Sequence, residues 1–205
     1  MKTIKTTRNR INRKRNHRIT ALVAALFVML FLSNCGDAEN EYTSLTCYFV
    51  FDNSVHQDAT LATSMNNNAP GIFCYATKSM KSGATYFDFS NNQGASSSAI
   101  ANAIDQRRTM ILGQNNGIII GFGNADYPST FYVYDAECPN CFDPNALPVR
   151  SHRLSMSSDG IATCKTCSRK YNLNAGGYIS EGEQGNKLTR YRASTTGPFG
   201  VLNVN

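Results

Sequence analysis

Phe131-Tyr-Val-Tyr-Asp135-Ala-Glu-Cys138-Pro-Asn-Cys141 is the stretch that decides how this chain is read. Its first four residues are aromatic or β-branched, a composition that suits a pleated, half-buried strand. That strand runs straight into a C-x-x-C turn, which aims two thiols at one point. A second such turn, Cys164-Lys-Thr-Cys167, follows, with 22 residues between the two. Cys138, Cys141, Cys164 and Cys167 together offer four soft ligands. A tetrahedral set of thiolates suits zinc, iron or an iron–sulfur cluster.

Working outward, Gly117-Ile-Ile-Ile-Gly-Phe122 reads as a strand pairing with Phe131–Asp135 across the turn at 123–129. Ile161-Ala-Thr163, after the turn formers Asp159-Gly160, delivers the chain into the second cysteine turn in the same way. Upstream, residues 47–51, 71–77 and 85–89 are further strand candidates. Residues 58–65 suggest a short helix, and residues 99–108 a second one capped by Ser97 or Ser98. The class is therefore all-β or mostly β.

Residues 117–205 resemble the Rieske-type domain family. The features that carry the likeness are the glycine-led apolar strand, the aromatic strand ending at Cys138-Pro139, and Cys164-Lys-Thr-Cys167 followed by Ser168-Arg-Lys-Tyr171-Asn-Leu-Asn-Ala-Gly176. Leu188-Thr-Arg-Tyr191 and Val201-Leu-Asn-Val204 are similar to the family's closing strand pair. The resemblance implies an antiparallel β-sandwich with a two-loop metal tip, to which residues 46–116 add an N-terminal β extension. Rieske domains hold a [2Fe–2S] cluster with two cysteines on one iron and two histidines on the other. Cys138 and Cys164 match family ligands. Asn140 falls where the first histidine would be, and Cys167 takes the place of the second. The occupant is then either a [2Fe–2S] cluster, with thiolates lowering its potential, or a single iron or zinc ion. The same four cysteines can also pair as disulfides in an oxidising compartment. His152 lies between the turns, but four ligands already complete a tetrahedron.

Eight of the 20 basic residues fall in residues 1–18, which contain no acidic residue. The apolar run 19–33 and Leu32-Ser-Asn-Cys35 complete the pattern of a bacterial lipoprotein signal, with residues 1–34 as the leader and Cys35 as the lipidated residue. Residues 35–45 are expected to be a tether, and residues 46–205 a single domain in the cell envelope, held to the membrane through the lipid. From Cys35 onward 12 basic residues face 14 acidic ones, so the basic leader says nothing of nucleic-acid binding.

Cys47 and Cys74 lie in upstream strand candidates and read either as buried small side chains or as a structural disulfide. Arg150, Arg153, Lys165, Arg169 and Lys170 gather in sequence around the second turn, where they could offset thiolate charge or meet an acidic partner. No acid–base pair, nucleophile motif or phosphate loop marks a stand-alone enzyme. The expectation is an electron-transfer protein with a redox partner, or a binding module whose two loops are pinned by zinc or disulfides.

Overall fold

A computed structural model describes residues 41–205. The expected leader 1–34 and the expected lipidation residue Cys35 lie outside the described residues. Twelve strands form three antiparallel sheets. The central sheet has the order β4 (Ser96–Ile100), β3 (Ala84–Asn91), β2 (Phe73–Lys81), β5 (Ile118–Phe122), β6 (Phe131–Asp135). A three-stranded sheet joins β1 (Phe49–Asp52), β12 (Val201–Val204) and β11 (Ala193–Thr195). A four-stranded sheet runs β10 (Tyr178–Glu181), β9 (Lys170–Asn172), β8 (Ile161–Thr163), β7 (Ser155–Met156).

The uninterrupted Ile118-Ile-Ile120 explains the layering. Successive strand residues face opposite sides, and here both sides are buried. Ile118 and Ile120 enter one core with Phe49, Phe51, Phe87, Phe89, Val133 and Leu202. Ile119 enters a second core with Tyr132, Tyr134, Leu154, Tyr171 and Leu173, and that core contains Cys138 and Cys164. Residues 46–116 are thus no mere extension. They supply β2–β4, and β2 pairs with β5 from Phe73↔Gly121 to Ala76↔Ile118.

Local chemistry accounts for the turns and for one short helix. Ser82 and Gly83 sit between β2 and β3 with φ of 50° and 82°, the pair of positive φ angles that a two-residue hairpin needs. Two short helices, α1 (Asn53–His56) and α2 (Ala59–Ser64), follow β1. The Asp58 carboxylate caps α2 by accepting from Leu61 N at 2.8 Å, and also accepts from Ser97 Oγ at 2.9 Å.

Two local expectations are corrected. Residues 99–108 form no α-helix: Ala99 and Ile100 end β4, paired with Phe87 and Tyr86, and only Asp105–Arg107 makes a 3₁₀ turn. A ten-residue helix is marginal on its own, whereas β3 offers a full set of backbone partners. Neither Ser97 nor Ser98 caps that turn: its N-cap position is Ile104, and Asn102 Oδ1, just ahead of it, accepts from Ile104 N and Asp105 N. Leu188–Tyr191 is likewise not a partner of Val201–Val204; that strand is Ala193–Thr195. Residues 189–191 instead line the outer edge of β6, with Asp135 N bonded to Thr189 O and Tyr191 N to Val133 O. Glu41–Leu45, expected as tether, includes residues held on the domain: Thr43 N donates to Arg190 O at 2.9 Å and Tyr42 stacks on Arg190.

Candidate metal centre

The two cysteine turns are built by the strands that precede them. At the end of β6 the buried Asp135 carboxylate accepts from Glu137 N, Gln114 N and Tyr191 Oη at 2.7–2.8 Å. Next to it, buried Glu137 accepts from Asn115 Nδ2, Ser151 Oγ and His152 N. Those bonds bring the returning segment alongside, where Cys138 N donates to His152 O at 3.1 Å and Leu154 N to Ala136 O at 2.9 Å. The first turn closes when Cys141 N and Phe142 N both donate to Cys138 O. In the second, Cys164 N donates to Arg169 O and Ser168 N to Cys164 O, with Ser168 in the left-handed region at φ 59°.

All four sulfurs lie within 4.8 Å of one another. Cys138 Sγ is 3.8 Å from Cys167 Sγ, and Cys164 Sγ is 3.8 Å from Cys141 Sγ. Sulfurs about 2.3 Å from a single zinc sit about 3.8 Å apart along the edges of a tetrahedron. The four cysteines could therefore hold a metal ion. Cys138 and Cys164 are fully buried, while Cys141 and Cys167 are half-buried on the outer side.

Hydrogen bonds surround the sulfurs. Tyr171 Oη lies 3.2 Å from Cys138 Sγ and accepts from Asn140 Nδ2 at 2.9 Å; it is the donor whenever Cys138 is a thiolate, which has no proton to give. Asn140 bonds the loop opposite: Nδ2 donates to Asn186 O and Oδ1 accepts from Asn186 N. Arg169 is held by Glu183 O and Gln184 O and turns toward Cys167.

These surroundings act differently on Cys138, Cys141 and Cys167. Burial pushes Cys138 up to about 11, partly countered by the Tyr171 hydroxyl. Burial and the neighbouring sulfurs raise Cys141 as well. At Cys167 burial also resists ionisation, but the Arg169 N–H and guanidinium outweigh it and bring the thiol down to about 6. A bound cation would supply the charge that lets the remaining thiols ionise beside it.

The other candidate residues lie elsewhere. His152 is outside the sulfur set, its Nδ1 2.9 Å from Thr166 Oγ1. Cys47 and Cys74 are free thiols in the first core, raised by burial. Of the basic group, Arg169 and Lys170 are paired with Glu183 and Glu181, and Arg153 donates to Asn115 O and Asn116 O. Arg150 and Lys165 are exposed. Sequence reasoning missed Tyr171, Asn140 and Glu137 as supports of the site. Only their closeness to the turns in sequence signals them.

Comparison of the chain with family models, with curated proteins and with solved structures finds no match in any of the three.

Proposed function

We propose that this chain is an envelope lipoprotein whose domain binds one tetrahedral metal ion, zinc by preference, through Cys138, Cys141, Cys164 and Cys167. The observation that carries the reading is the mutual closeness of the four sulfurs, within 4.8 Å. A [2Fe–2S] cluster splits its ligands between two irons held apart by bridging sulfides, so its thiolates spread further than one tetrahedron allows. In this reading the ion pins the loop after β6 to the loop after β8, as a closed structural site does. The lipid anchor at Cys35 rests on the leader pattern, and the kinship to Rieske-type domains rests on the motifs around the two turns.

A second reading has a specific observation behind it. Iron in the same four-sulfur set is a one-electron couple, and the partial exposure of Cys141 and Cys167 would give a partner close access to it. Metal analysis and the visible spectrum of the chain purified without air test both. One zinc per chain and no colour is the expected result. One iron with thiolate-to-metal bands would establish the carrier, and two irons with acid-labile sulfide would overturn the single-ion reading.

A further inference from the structure

Each of the two 3.8 Å sulfur contacts joins a half-buried cysteine of one turn to a fully buried cysteine of the other: Cys167 with Cys138, and Cys141 with Cys164. We infer that the centre is also a thiol–disulfide exchange site, in which oxidation by a small-molecule disulfide forms these two cross-turn bonds and releases the metal. The metal-release half rests on the single-ion reading above.

The division of exposure sets the order of events. Cys167 and Cys141 present sulfur to solvent, and each has a buried sulfur behind it. Exchange needs an attacking thiol that an external disulfide can reach, and a second thiol to resolve the mixed disulfide. Cys167 sulfur attacks the small disulfide and expels one of its halves as a thiolate. Cys138 sulfur then attacks the Cys167 sulfur, expels the second half, and leaves Cys138–Cys167. Cys141 and Cys164 repeat the sequence. Two small disulfides are reduced to four thiolates, two protein disulfides form from four cysteine thiolates, and one divalent ion leaves without changing its oxidation state.

Sulfurs 3.8 Å apart must close to about 2.05 Å, a movement within reach of side-chain rotation. Both turns keep the hydrogen bonds to Cys138 O and Cys164 O that shape them. The bonds would also retain what the ion holds, since each ties one loop to the other. Oxidation would thus exchange one clasp for another, and reduction with added metal would restore the first.

The test uses the zinc-loaded full chain treated with oxidised glutathione. Released zinc is followed with a chromogenic chelator, and the bonds are mapped by mass spectrometry on a non-reduced tryptic digest. Cleavage after Lys165 separates Cys164 from Cys167, and fragmentation of the linked peptides separates Cys138 from Cys141. The expected links are Cys138–Cys167 and Cys141–Cys164, with one zinc released per two links and zinc retaken after reduction. Bonds within a turn, or Cys138–Cys164 with Cys141–Cys167, overturn the pairing. Four free thiols with zinc retained overturn the exchange. Cys167→Ser should form the Cys141–Cys164 link and leave Cys138 reduced; a Cys138–Cys141 bond there also counts against the proposal. A chain that takes up no zinc defeats the single-ion reading by that measurement alone, and mapping the metal-free chain still decides the pairing.

Discussion

Tyr171 Oη lies 3.2 Å from Cys138 Sγ and accepts from Asn140 Nδ2 at 2.9 Å, so its own proton is available to a Cys138 thiolate. A residue from β9, beyond the second turn, thereby supports a ligand of the first. Hydrogen bonds to ligating sulfur orient it and relieve its charge, and losing such a partner typically costs 10- to 100-fold in metal affinity. Tyr171→Phe keeps the buried ring and removes only the hydroxyl. Competition against a chelator should show zinc affinity about 10-fold lower, with the β-sheet circular dichroism unchanged.

Replacing a ligand should have a larger effect than replacing a core thiol. Cys164→Ser is expected to abolish stoichiometric metal and lower the melting temperature, since the binding energy of a structural ion is folding energy. Cys47→Ser, in the first core, should leave one metal per chain. Metal content by plasma mass spectrometry, measured beside the melting curves, distinguishes the two effects. Equal metal content in both variants would rule out Cys164 as a ligand.

Metal retention should rise with pH. Thiols bind as thiolates, so protons compete with the ion. Cys138, raised to about 11, arrives protonated at neutral pH, whereas Cys167, near 6, arrives ionised. Binding at pH 7 should therefore release protons, with Cys167 contributing least. Calorimetry of zinc binding in buffers of different ionisation enthalpy counts them. Zinc should be lost progressively as pH falls and the thiols protonate.

Asp135 gives a stability prediction of a particular sign. Burial raises its carboxyl above the ordinary range, outweighing the bonds from Tyr191, Gln114 and Glu137. A carboxyl raised on folding contributes stability that is fully present below its unfolded value of about 3.9 and is lost as pH rises through the folded value. Asp135→Asn removes that dependence, so the wild type should lose stability relative to the variant as pH rises from about 4. The amide cannot accept from all three donors, and the variant should be about 1–3 kcal/mol less stable at low pH. Urea unfolding of both chains between pH 4 and 8 checks the slope.

Much of the site was readable along the chain because its chemistry is local. Two C-x-x-C turns, each entered from a strand of β-branched or aromatic residues, name the four ligands without reference to anything distant. Asp159-Gly160 and the aromatic and β-branched run Phe131-Tyr-Val-Tyr134 are equally local. Residues 99–108 show where this fails: Ala99 favours helix and Ile100 strand, and the edge of β3 supplied the partner that decided them.

The sequence by itself determined the mostly-β class and the identity of the four sulfurs, since alternation and turn chemistry act over a few residues. Tertiary structure alone decided which sulfurs face inward, that Cys138 meets Cys167 while Cys164 meets Cys141, and that Tyr171 serves Cys138. It also decided that β5 is buried on both faces, with Ile119 on the side of the four cysteines and Ile118 and Ile120 on the other. Those outcomes depend on pairings between segments far apart in the chain, where burial and backbone hydrogen bonding choose among partners that no local pattern distinguishes.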